Sequence, residues 1–152
     1  MSTSSTRADL SEELLAAIRA VNEARRRGPF GQDPERRLEA RFRTHHRLAV
    51  YGSLAPGREN HGQLAALKGK WSSDLFVHGK MEPSGWEAAI GFPAMRWRLQ
   101  GPAVAVFLFV SPDLASHWSR LDAFEGRDYV RILVPVFGSA GFSCVANLYE
   151  AA

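Results

Sequence analysis

Cysteine is almost absent from this sequence: Cys144 stands alone. A single thiol cannot close an internal disulfide and has no companions for a cysteine zinc site, so both scaffolds are excluded. Lying in the apolar alternation of residues 142–149, it reads as packing. Long hydrophobic runs are also missing. The longest, AVAVFLFV at 103–110, falls far short of the roughly 20 apolar residues a spanning helix needs. The opening MSTSST has no apolar centre of a secretory signal. These absences point to a soluble, cytoplasmic protein with no membrane partner. The five histidines are scattered without HxH or HExxH spacing, so no metal site is expected. Low-complexity tracts and internal repeats are lacking too, and ordinary globular proportions remain.

Charge is present but unevenly placed. Residues 1–47 hold ten arginines against seven acidic residues, whereas residues 48–152 hold nine of each sign. A basic arm can bind nucleic acid. Here, however, glutamates interleave with the arginines and no aromatic stacking platform accompanies them, so nucleic acid is not an expected partner.

Hydrophobic spacing divides the chain at the same place. Leu10, Leu14, Ile18 and Val21 fall on one helical face, with Asp9 as a candidate cap, Glu12 three residues on, and Gly28-Pro29 as the stop. A second basic helix is expected from Pro34 to about Arg43, with Leu38 and Phe42 paired. The apolar stripe must be covered by the main domain or by a second subunit, so a homodimer through the N-terminal helix is open. The reading is a helical basic extension over 1–47 and a domain over 48–152. The latter shows strand-like runs at 48–51, 74–81, 103–110, 129–137 and 142–149, broken by Gly and Pro. Between the third and fourth runs lies SPDLASHWSRLDAFEG, one expected helix. Ser111 is its cap, Pro112 and Asp113 suit its first turn, Leu114, Trp118 and Leu121 form its stripe, and Gly126 ends it. At 152 residues this is an α+β domain rather than a doubly wound α/β fold.

Two places could carry chemistry. Tyr51-Gly52-Ser53-Leu54 ends the first strand and enters a turn-rich segment with Pro56, Gly57 and Asn60. Such a turn can aim backbone N–H groups at an anion or oxyanion; it can equally be a plain strand end, because glycine turns are common. The second place is Glu125, at the C-terminal end of the expected helix. A carboxylate there opposes the helix dipole by about 0.3–1 kcal/mol. Pairing with Arg127 or Arg131 would explain it structurally. Partial burial near Phe124 would instead raise its pKa and suit a general base.

Taken together, VYGSL at 50–54, Gly57, Asn60-His61 and Leu64, LDAFEG at 121–126, Tyr129-Val-Arg131 and the closing Ala146-Asn-Leu-Tyr149 resemble the gamma-glutamylcyclotransferase-like family. That family includes the gamma-glutamylamine cyclotransferases and the AIG2-like proteins of plants, and the likeness spans residues 48–149. The resemblance implies a small mixed β-barrel flanked by helices. It also implies an enzyme of transferase or lyase type in which a γ-glutamyl amine or amide cyclises to 5-oxoproline and releases the amine. By motif, Glu125 would be the general acid/base. Tyr51, Gly52, Ser53 and Leu54 would hold the substrate, with Asn60, Tyr129, Arg131 and Tyr149 completing the site. No metal or redox cofactor is needed, and the implied partner is a small γ-glutamyl compound.

There are departures. Phe107 or Phe109 stands where a family tyrosine is expected, leaving Tyr129 and Tyr149 as substitutes. Residues 1–47 have no counterpart in the minimal family pattern. The segment EPSGWEAAIGFPAMRWRL is individual, and its Trp86, Arg96, Trp97 and Arg98 are expected to shape substrate choice. His61 and His117 are weaker candidates for ligands or bases, and Ser53 lacks the partners of an acyl-enzyme nucleophile. A non-catalytic binding or interaction protein on the same fold is the alternative reading.

Overall fold

The protein is described by a computed structural model over residues 10–27, 33–52, 54–58, 60–82 and 94–152. Helix α1 spans Glu12–Arg27 and α2 spans Asp33–Phe42. Ser11 caps α1, its Oγ accepting from the Leu14 N–H at 3.1 Å; the alternative cap, Asp9, and the expected stop Gly28-Pro29 lie outside the described residues. A 3₁₀ turn at Thr44–His46 leads into β1, Arg47–Val50. The short helix α3, Gly62–Ala65, precedes β2, Lys70–Glu82. Strands β3 (Ala94–Trp97) and β4 (Ala103–Val110) follow. A 3₁₀ turn at Pro112–Ser116 then leads to α4, Trp118–Glu125, and the chain closes with β5, Tyr129–Gly138, and β6, Gly141–Ala151.

The strands are ordered β3-β2-β4-β1-β6-β5, and a β2–β5 pairing closes five of them into a mixed barrel. It is mixed because β1 runs antiparallel to β4 and parallel to β6. Each expected strand is present, with β2 starting earlier than the alternation suggested. An irregularity in the β2–β4 pairing between Ser72 and Leu75 explains this, since Asp74 there adopts a φ of 62° and breaks the alternating pattern. Strand β3 was not anticipated. It is four residues long and gains its stability from lying against β2 at Gly79, where an added Cβ would come within 2.7 Å of the Arg96 carbonyl oxygen. The expected single helix over 111–126 is two pieces, because His117 departs from helical geometry at φ −117° and ψ 0°. Its start is as expected: the Ser111 side chain accepts from the Asp113 N–H.

Closure of the barrel is slight. Only Phe76 and Phe137 pair between β2 and β5, which leaves backbone groups along much of that edge of β5 in need of partners. Helix α1 supplies them. The Asn22 side-chain amide donates to the Leu133 carbonyl at 2.8 Å and accepts the Leu133 N–H at 2.7 Å, as a neighbouring strand would. Leu10, Leu14, Ile18 and Val21 are buried in the same hydrophobic cluster as Ile132, Val134 and Leu148 of the barrel. The stripe is therefore covered by the chain's own barrel. This double covering also explains why β5 reads as a nearly continuous apolar run: both of its faces are buried. Replacing Asn22 with Ala would strand both Leu133 groups. At about 1–3 kcal/mol for each unsatisfied buried group, chemical denaturation should show a loss of several kcal/mol; a change within 0.5 kcal/mol would contradict this role.

Candidate active site

Helix α4 carries Glu125 as its last residue. Trp118, Leu121 and Glu125 recur at spacings of three and four, so the glutamate continues the stripe whose first two members are buried. Phe124, between them, is 39% exposed. The chain leaves the helix through Gly126 at φ 77°. No atom lies within 4 Å of an added Cβ there, so it is the backbone angle that calls for glycine. The Tyr129 N–H then donates to the Gly126 carbonyl, turning the chain into β5.

Glu125 lies within electrostatic reach of two phenols. Its charge acts on both Tyr51 and Tyr149, opposing their ionisation, and Tyr51 also feels Tyr129. The Tyr51 hydroxyl donates to the Tyr149 carbonyl at 2.7 Å and accepts from the Met95 N–H at 3.2 Å. In this way the first residue of the glycine turn is tied to β6 and β3 together. The Tyr149 hydroxyl donates to Asp122 Oδ1 at 2.6 Å. The structure thus brings Tyr51, Tyr129, Tyr149 and Glu125 into one electrostatic group.

Arg131 belongs to the layer behind them. Its Nε and an Nη hold the two Asp122 oxygens at 2.8 and 3.2 Å, and its guanidinium lies 4.3 Å from the Trp118 ring centre. Asp122 is thus a carboxylate partner of Arg131. The other Nη reaches Asn147 Oδ1 at 3.0 Å. Asn147 Oδ1 also accepts from Arg25 of α1 at 2.7 Å, and Arg25 in turn holds the buried Glu35 of α2 at 2.6 Å. Desolvation first, and the nearby Arg131 charge second, pull the Arg25 pKa down to about 10, so it remains charged at neutral pH. An unbroken chain of hydrogen bonds therefore runs from the N-terminal helices through Asn147, Arg131 and Asp122 to the Tyr149 hydroxyl. Asp122, Asn147 and Arg25 were not singled out from the sequence. Asp122 and Asn147 had a signal, since they lie in LDAFEG and in the closing Ala146-Asn-Leu-Tyr149; Arg25 had none, because nothing local marks it as buried.

The turn after β1 is held by successive i to i+3 bonds, Ala55 N–H to Gly52, Arg58 N–H to Ala55 and Gln63 N–H to Asn60. Leu54 is buried beside Leu48, Val50, Leu64 and Trp118, which leaves its backbone as the part able to meet a ligand. Asn60 is half-buried and Ser53 lies outside the described residues, as does Trp86. His61 Nδ1 lies 3.1 Å from the Leu54 carbonyl and must carry the proton, since a carbonyl only accepts. His117 Nδ1 accepts from Arg120 Nε. Phe109 is buried against Trp71, whereas Phe107 is 38% exposed. Among the described residues no three His, Cys, Asp or Glu side chains converge as metal ligands, and no helix is long and apolar enough to cross a membrane.

Burial is the first cause of the raised Tyr51 and Tyr149 pKa values; for Tyr149 the Asp122 hydrogen bond is the second. Both phenols therefore remain protonated donors well into alkali. The unfolded phenols ionise near pH 10, so the folded state holds protons that the unfolded state loses. Stability from these groups is complete below about pH 10 and falls as pH rises beyond it. In an alkaline titration, two of the three tyrosines should ionise together with the loss of circular dichroism; early ionisation of all three in a folded protein would contradict the burial assigned here.

The sequence profile of the gamma-glutamyl cyclotransferase, AIG2-like family matches residues 48–152, and the chain belongs to that family. Similar solved structures include an AIG2-like protein from Mus musculus (18% identity, TM-score 0.52, covering 70% of this chain and 77% of the mouse one). Another is an Escherichia coli protein specific to uropathogenic strains (20% identity, TM-score 0.53, 69% and 79% covered). A third is YkqA from Bacillus subtilis (22% identity, TM-score 0.52), of which 35% is covered against 70% of this chain. At such identities the likeness speaks for the shared fold. No curated protein matches the sequence significantly.

Proposed function

We propose that the protein cyclises a γ-glutamyl amine or related amide by intramolecular aminolysis, releasing 5-oxoproline and the free amine. The observation that carries this reading is the placement of Glu125, at a helix end on a buried stripe, within electrostatic reach of the Tyr51 and Tyr149 hydroxyls. The substrate's α-ammonium has an unperturbed pKa of about 7.7–8.0. Glu125 accepts a proton from it, the freed amine attacks the γ-carbonyl of the same molecule, and the new C–N bond closes the ring. As the tetrahedral intermediate collapses, Glu125 delivers that proton to the departing nitrogen and the old C–N bond breaks; the ring nitrogen, cationic after the attack, then gives its second proton to Glu125, which passes it to the released amine. No water is consumed and no cofactor takes part.

Because nucleophile and electrophile share one molecule, holding the near-attack conformer supplies much of the effect, up to roughly 7–11 kcal/mol in well-oriented systems. Residues 51–54 do this through backbone N–H groups at the carboxylate or developing oxyanion, with Asn60 and Tyr129 at the rim. Arg131 and Tyr149 act by position, fixing Asp122 and the floor of the site. In this reading residues 48–152 carry the chemistry and residues 1–47 brace it. A panel of γ-glutamyl amines and γ-glutamyl amides of amino acids, assayed for 5-oxoproline, tests the proposal; release from none of them would end it.

One observation favours a second reading, a non-catalytic binder: Phe107 and Phe109 offer no hydroxyl from β4, and the Tyr51 and Tyr149 hydroxyls already donate within the protein. Calorimetry showing tight binding of a γ-glutamyl compound with no product would establish that alternative.

A further inference from the structure

A second concave site lies between α1 and β3, a cleft of about 510 Å³. Neither Glu125 nor Tyr51, Tyr129 or Tyr149 lines it. Its β6 contribution is Glu150, whose side chain points to the opposite face of the strand from Tyr149. Arg19 and Arg26 reach it from α1, and Arg96 and Arg98 reach it from β3 and the residue that follows.

Four guanidiniums facing one cleft repel unless carboxylates neutralise them. The cleft's two carboxylates are already engaged. Glu150 holds Arg26 and also accepts the Trp97 N–H at 2.8 Å. Glu23 pairs along the helix with Arg27, outside the cleft, at 3.4 Å. Arg96 donates to the Ala152 carbonyl at 2.7 Å. Arg19 and Arg98 form no ion pair among the described residues, and Arg19 rests 6.0 Å from the Trp97 ring centre.

We propose that this cleft is a second ligand site for a small polyanionic metabolite, whose phosphate or carboxylate oxygens are held by Arg19 and Arg98 beside the Trp97 ring. Its volume falls in the range of small-molecule sites, roughly 300–1,000 Å³. Guanidinium forks match the paired oxygens of either group. Arg26–Glu150 and the Trp97 backbone form the fixed wall, and the two unpaired arginines form the part that responds to charge. The site rests on groups that the Glu125 chemistry does not use, so it stands or falls independently of that reaction.

Isothermal titration of the full chain at low ionic strength, with pyrophosphate in one arm and citrate in the other, tests this. The expected result is one-to-one binding of at least one probe, weakened at least tenfold in both Arg19→Gln and Arg98→Gln and unchanged in Arg36→Gln, an exposed arginine on α2. Binding of pyrophosphate alone assigns a phosphorylated ligand, and binding of citrate alone a polycarboxylate. Absence of binding by both probes would overturn the site, as would equal weakening in Arg36→Gln or indifference to the two cleft substitutions. Arg19 and Arg98 are exposed, so both variants should fold, with wild-type circular dichroism as the check.

Discussion

Glu125→Gln is expected to lower 5-oxoproline release by about 100- to 10,000-fold, the range associated with loss of a positioned general acid/base. The substitution keeps the shape and length of the side chain at the end of α4 while removing its ability to take a proton from the α-ammonium. Three features make this the most decisive single change. Glu125 extends the Trp118–Leu121 stripe, so its backbone position is fixed by packing that the amide preserves. Gly126 sets the turn after it. The carboxylate also acts on Tyr51 and Tyr149 without being their hydrogen-bond acceptor, a role filled by the Tyr149 carbonyl and by Asp122. The variant should therefore unfold at a temperature close to that of the wild type. Steady-state assays should show the fall in kcat, because the proton transfer belongs to the transition state. Turnover within threefold of wild type would remove Glu125 from the mechanism and leave the barrel fold untouched.

Arg25→Ala is expected to lower stability by about 3–5 kcal/mol, the cost of leaving one partner of a buried ion pair uncompensated. Arg25 and Glu35 have side chains only 1% and 3% exposed. Removing the guanidinium takes from the buried Glu35 carboxylate the cation that faces it and takes one donor from Asn147 Oδ1, the atom shared with Arg131. For a chain of this size each kcal/mol corresponds to roughly 2–4 °C in Tm, so the change is readily seen in a thermal melt. Pairing Arg25→Met with Glu35→Leu should recover much of the loss, because well-packed apolar residues often replace a buried pair without penalty. A loss equal to that of Arg25→Ala alone would show that the contact with Asn147, rather than the ion pair, dominates.

Much of this was legible in the sequence, for identifiable reasons. The apolar runs over 103–110 and 129–137 and the alternation over 142–149 mark strands, and Ser111 and Gly126 mark ends because caps are local chemistry. VYGSL and LDAFEG placed the chain in its family. What local pattern could not supply was partnership across the fold. Asn22 and Arg25 look like ordinary polar residues on a basic helix, yet they interrupt its apolar stripe to satisfy Leu133, Glu35 and Asn147, contacts more than 100 residues away for Leu133 and Asn147. Strand β3 is held by partners distant in the chain, β2 along one edge and the Tyr51 and Glu150 side chains at its other N–H groups. The helix over 111–126 breaks at His117, although its spacing reads as continuous.

The sequence by itself determined the family, the strands of the barrel and the helix-end position of Glu125, because each is encoded by residues near one another in the chain. Only the tertiary structure decided that the basic N-terminal helices are part of the barrel's core, that Arg131 serves Asp122, and that four arginines share one cleft. Buried polar partners are chosen by what closure of the barrel leaves unsatisfied, and that is a property of the whole packed chain.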